Sequence, residues 1–148
     1  MKRLVTEQRL GFVATVSPDG TPNVSPKGTT AVWDDEHLVF AHIRSPRTVA
    51  NVRANPAVEV NVVDPVSRLG YRFKGSAEVH EAGPVYERGL AFYGRGPEWA
   101  EAIVLVRVAR AARLVSPAYD DGSTEEEVRS RWEAYYAALR ERGRAPEG

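Results

Sequence analysis

Short apolar runs, most of them alternating with polar positions, recur along this chain, and only four stretches read as helices. Leu10–Val16 is a run of strand formers, and Ser17-Pro18-Asp19-Gly20 after it has the residues of a tight hairpin turn. The chain returns through residues 21–28, where Pro22 and Pro26 restrict it to an edge or irregular strand. Thr29–Trp33 and His37–Ile43 predict two more strands around the polar turn Asp34-Asp35-Glu36. Ser45 and Pro46 are favoured at the cap and first position of a helix, and Asn55-Pro56 stops it near Ala54. Ala57–Val63 alternates strictly, with Val58, Val60 and Val62 on one face. Tyr71–His80 is a further strand, with Tyr71, Phe73, Gly75, Ala77 and Val79 on one face. Residues 84–93 read as helical, residues 98–102 as a short helix, and Ile103–Val108 as a buried strand extending toward Val115. Thr124 and Glu127 form a capping box, and Val128, Trp132, Tyr135, Tyr136 and Leu139 make one apolar stripe on a helix ending near Gly143.

Short strands joined by tight turns, with one inserted helix after the fourth, predict a mainly β, antiparallel barrel or sandwich rather than a doubly wound sheet. The length of 148 residues fits a single domain, 1–148, with a core over about 5–115 and a C-terminal helix over about 124–142.

Composition narrows the function. Twenty basic and 20 acidic residues cancel, which disfavours a non-specific nucleic-acid binder. Cysteine is absent, which removes disulfides, thiolate metal sites and a cysteine nucleophile. His37, His42 and His80 lack ligand spacing, so no metal is expected. Ser17, Ser25 and Ser116 each precede proline outside a nucleophile elbow, which argues against a hydrolase. No apolar run is long enough for a membrane span and the N-terminus has no signal-peptide pattern, so a cytoplasmic location is expected.

Two segments carry candidate chemistry. At Ser45-Pro46-Arg47-Thr48 a strand gives way to a helix start. Free N–H groups, the helix dipole and the Arg47 guanidinium suit an anion there. A capped surface helix with an exposed arginine has the same sequence. In Asn23-Val24-Ser25-Pro26-Lys27-Gly28-Thr29-Thr30, Pro26 and Gly28 bend the strand, freeing main-chain groups for a planar heterocycle beside the Lys27 cation. A bulged edge strand protected by a lysine has that sequence too.

Taken in order, residues 10–28 (LGFVATVSPDGTPNVSPKG), residues 37–64 (HLVFAHIRSPRTVANVRANPAVEVNVVD) and residues 73–79 (FKGSAEV) resemble the pyridoxamine 5′-phosphate oxidase-like superfamily of flavin-binding split barrels. The similarity covers about residues 5–115. It implies a six-stranded antiparallel split barrel forming a homodimer, with FMN in a cleft between subunits. It also implies that His42, Ile43, Arg47 and Thr48 hold the phosphate and ribityl chain, with Asn51 on the first turn of the following helix. Ser25, Pro26, Lys27, Gly28 and Thr29 would then lie along the ring. A cation beside that ring would stabilise reduced flavin, and the expected chemistry is oxidoreduction through it. The substrate-gripping C-terminal segment of the oxidase itself is replaced here by the amphipathic helix, which argues against pyridoxamine phosphate as substrate. Relatives that use the deazaflavin F420 or haem, and barrels that hold flavin without turnover, are the alternatives. Trp99, Tyr93 and Arg95 either pack locally or reach a partner subunit's flavin.

Overall fold

The structure is a computed structural model and describes residues 1–143. Its elements run α1 (Lys2–Gln8), β1 (Gly11–Val16), β2 (Pro22–Lys27), β3 (Ala31–Val32), β4 (His37–His42), α2 (Pro46–Ala54), β5 (Ala57–Val63), β6 (Leu69–His80), α3 (Pro84–Tyr93), β7 (Ala102–Val115) and α4 (Glu125–Arg142). The chain is mainly β. Seven strands form one antiparallel sheet in the order β2-β1-β5-β6-β7-β4-β3. Its outermost strands, β2 and β3, are consecutive in the chain and separated only by residues 28–30. The sheet therefore curls until its edges meet at that corner, which is the split-barrel architecture. The resemblance implies six strands; the seventh is the strand read from Thr29–Trp33, of which two residues, Ala31 and Val32, pair with Val39 and Leu38.

The inside of the curl is filled by Val13, Phe40, Val58, Val60, Val62, Phe73, Val104 and Val106. The alternation in β5 sets this pattern, since its three valines on one face are buried. Strand β4 is buried on both faces: Leu38 and Phe40 enter the barrel, while Val39 and Ala41 join a second cluster with Tyr86, Tyr93 and Trp99. This explains its unbroken apolar run. At Gly75 a register shift bulges β6 against β7, and a Cβ there would come within 1.9 Å of the Arg107 carbonyl oxygen.

Three elements differ from the sequence expectation. Helix α1 was not expected; it places Val5 in the barrel core and stops at Arg9 in the left-handed region, φ 51°. The helix expected over 98–102 is a series of turns, because the Tyr86 hydroxyl lies 3.1 Å and 2.8 Å from the Pro97 and Ala100 carbonyls and holds the segment bent. Helix α4 has the expected capping box, but of its apolar stripe only Val128 is fully buried. Its first half is anchored to the 64–68 loop: Arg129 pairs with the buried Asp64 at 2.6 Å, and the Arg68 guanidinium stacks 3.4 Å over Trp132. Tyr135 and Leu139, farther along, remain 48% and 40% exposed.

Candidate functional site

The β2–β3 corner, the end of β4 and the start of α2 meet at one place. The main-chain N–H of Ala41, one residue before His42, donates to Thr29 Oγ1 at 2.9 Å. The Thr30 hydroxyl donates to the Lys27 carbonyl at 2.9 Å, and the Tyr93 hydroxyl donates to the Thr29 carbonyl at 2.7 Å. The bend is thereby fixed from both sides, by β4 and by α3. Tyr93 is half-buried there, and desolvation pushes its phenol pKa well above the ordinary value.

The helix start is anchored from beneath. Asn51 is 2% exposed and its amide donates to Thr15 Oγ1 at 3.0 Å and to Ser17 Oγ at 3.4 Å. Asn23 donates to the same Thr15 oxygen at 3.0 Å, so one buried hydroxyl on β1 ties together β2 and α2. Thr48 is buried under the first turn, and Arg47 is exposed beside it. Arg47 acts at a distance on Asp19 in the β1–β2 turn. Hydrogen bonds from Thr21 are the main reason that the Asp19 carboxyl titrates below its ordinary range, and Arg47 adds slightly to the effect.

No side chain caps α2. Pro46 has no N–H. Among the described residues no hydrogen bond reaches the main-chain N–H of Arg47 or Thr48. Two unpaired helix-start donors, one of them on the exposed Arg47 and one on the buried Thr48, thus lie beside an exposed guanidinium, which is the arrangement that attracts an anion. His42 is 4% exposed and sits behind them, against Ser45 and Glu101.

The residues predicted for the ring segment do not all face one way. Register against β1 places Ser25 opposite the buried Val13 and Lys27 opposite Gly11, so both side chains turn into the barrel. The Lys27 amine is bonded to Ser25 and lies 5.9 Å from the Phe40 ring centroid; burial pushes its pKa down. Pro26, Gly28 and Ile43 are exposed, and Thr29 is half-buried. The sheet order leaves one main-chain edge of β2 unpaired, and added atoms at Gly28 would meet open space. Trp99 and Tyr93 pack within this chain in the cluster under α3. Sequence reasoning missed Thr15 and Glu101, which reach the site by pairing across strands; Asn23 begins the bent segment it singled out, but its bond to Thr15 was not legible there.

This curled antiparallel sheet, with a helix start opening beside its closing corner, defines a split barrel. The profile of the pyridoxamine 5′-phosphate oxidase family matches residues 1–114, and the chain belongs to that family. Among solved structures, HupZ from Group A Streptococcus is 34% identical with a TM-score of 0.72, over 78% of this chain and 92% of that one. An F420 reductase is 29% identical with a TM-score of 0.59, over 75% of this chain and 94% of that one. The uncharacterized protein MJ0282 of Methanocaldococcus jannaschii is 32% identical over 79 residues, and that match spans about half the length of each protein, 52%. No helix among the described residues is long and apolar enough to cross a membrane.

Proposed function

We propose that this chain binds FMN and works as an FMN-dependent oxidoreductase, as a homodimer with the cofactor in the cleft between subunits. The observation that supports it most is the open start of α2, with its free Arg47 and Thr48 N–H groups and the exposed Arg47 side chain beside the β2–β3 corner. A phosphate monoester fits those donors in charge and geometry. His42 and Thr48 support this end from within, and Asn51 fixes the helix that presents it. The unpaired edge of β2 offers main-chain donors and acceptors to a planar heterocycle, and Gly28 leaves room for it. Lys27 acts there through the fixed shape of the bend rather than as a free cation, because its amine is turned inward.

Bound FMN would supply hydride or single-electron transfer at N5. The chain's own part is to orient the phosphate end, hold the ring edge and exclude water. An apolar outer face on β1 and β2, carrying Phe12, Val16 and the 61%-exposed Val24 with Leu10 just before it, favours a second copy as the wall that closes the cleft.

The absorption spectrum of freshly purified protein, followed by titration with FMN and riboflavin, tests this. Two visible bands and tighter binding of FMN than of riboflavin are expected. The likeness to an F420 reductase keeps one alternative in play, and a single near-UV band would favour the deazaflavin. A Soret band would favour haem. In Arg47→Ala the FMN affinity should fall about tenfold, the lower end of a charge-assisted hydrogen bond at an exposed site, while riboflavin affinity stays constant. Colourless protein that leaves added FMN fluorescence unchanged would refute the proposal. Failure of nicotinamide donors and of all tested acceptors to turn over bound flavin would leave a flavin-holding module instead of an enzyme.

A further inference from the structure

The buried ring of His42 joins two exposed elements. On one side its Nδ1 lies 3.0 Å from Ser45 Oγ and accepts the Ser45 main-chain N–H at 3.3 Å. On the other its Nε2 lies 2.9 Å from Glu101 Oε2. Strand register brings Glu101 there: Ala102 pairs with His42, and the Glu101 N–H donates to the His42 carbonyl at 2.9 Å. A main-chain N–H only donates, so Nδ1 must be the lone-pair nitrogen. The ring proton then sits on Nε2, where the carboxylate accepts it. Glu101 therefore selects the tautomer that Ser45 requires.

A serine at a helix N-cap normally turns its oxygen onto the free N–H groups of the first turn. Ser45 makes no such bond: its hydroxyl lies against His42 instead, and its backbone, φ −147° and ψ 60°, is turned away from the usual extended cap. We propose that Glu101, acting through His42, is a positioning residue that keeps Ser45 from capping its own helix, and so keeps the Arg47 and Thr48 N–H groups open for the ligand's phosphate. The inference rests on the FMN assignment above. Without the carboxylate the imidazole can carry its proton on Nδ1. Nδ1–H and the Ser45 N–H, two donors 3.3 Å apart, then oppose each other, so Ser45 turns away from the ring and its hydroxyl can reach the helix start and compete with the anion. Only the phosphate end of a ligand feels this competition.

The test uses the full chain as wild type, Glu101→Ala, Glu101→Gln, Ser45→Ala and the double variant Glu101→Ala/Ser45→Ala, each titrated with FMN and with riboflavin. Glu101→Ala should weaken FMN about tenfold, the worth of one charge-assisted hydrogen bond lost to the competing hydroxyl, with riboflavin unchanged. Glu101→Gln, whose amide oxygen still accepts from Nε2–H, should retain most FMN affinity. Adding Ser45→Ala to Glu101→Ala should bring FMN binding back to that of Ser45→Ala alone, since no hydroxyl remains to compete. Nitrogen-15 spectra should show a lone-pair Nδ1 at His42 in the wild type and mixed tautomers in Glu101→Ala. Equal weakening of both flavins, no rescue by Ser45→Ala, or a protonated Nδ1 in the wild type would overturn the inference. Wild type that binds neither flavin would overturn the FMN assignment and the inference with it; wild type that binds FMN with Glu101→Ala unaffected would overturn the inference alone.

Discussion

Replacing Asn51 with alanine separates a support residue from a ligand residue. The resemblance to flavin-binding barrels places Asn51 against the cofactor, but its amide is buried and donates to Thr15 and Ser17 on β1. Alanine removes both hydrogen bonds and leaves a buried hydroxyl with one partner fewer. Losing such a buried hydrogen-bond group costs about 2 kcal/mol, within the usual range for a deserted buried polar atom. For a chain of 148 residues that corresponds to a melting temperature lower by roughly 4–8 °C. Equilibrium urea denaturation measures the free energy directly. The shared hydroxyl adds a second check: Thr15→Val alone should cost a similar amount, and the double variant should cost less than the two together, because both deletions break the same bond. Flavin affinity should fall only through loosening of α2, by less than in Arg47→Ala. If Asn51→Ala leaves stability within about 0.5 kcal/mol of wild type yet abolishes flavin binding, the amide serves the ligand and the strut is incidental.

Other perturbations read different parts of the fold. Gly75→Ala should destabilise by on the order of 3 kcal/mol, because the new methyl group meets the Arg107 carbonyl oxygen and the bulge must reopen; unchanged urea unfolding would contradict this. Burial opposes ionisation of Asp64, but the Val66 N–H, the Ser67 side chain and Arg129 outweigh it and hold its carboxyl below the usual carboxylate range. A depressed carboxyl contributes stability that is present above the unfolded value and lost as pH falls through the folded one. Docking of α4 should therefore weaken only in acid below about pH 4, seen as a change in Trp132 fluorescence that Asp64→Asn abolishes. A chain ending at residue 123 should melt lower or sediment as a smaller species, since it loses the Arg129–Asp64 pair and the Trp132 contact; an unchanged melting temperature and mass would remove any structural role for α4.

The local rules of the chain were legible before the fold was known. Period-two alternation in residues 57–63 determined both a strand and the valines that line the barrel. Thr124 and Glu127 determined the start of α4, and both reciprocal hydrogen bonds of the box are present. Ser45-Pro46 marked the start of α2 for the same reason, since backbone caps depend on neighbours a few residues away. Even the residues of the helix start and the bent strand could be paired as one candidate site, but only because their order resembles a known family. What the sequence could not decide was the partner of each side chain. Ser45 reads as a cap and instead serves His42; Lys27 reads as an exposed cation and is drawn into the barrel by its register with Gly11; Asn51 reads as a contact for a cofactor and ties α2 to β1. Glu101 carried no signal at all, because it reaches His42 across 59 residues through the pairing of β4 with β7. Periodicity is a property of neighbouring residues, whereas the facing atoms are set by strand order and register, which exist only once the sheet has closed.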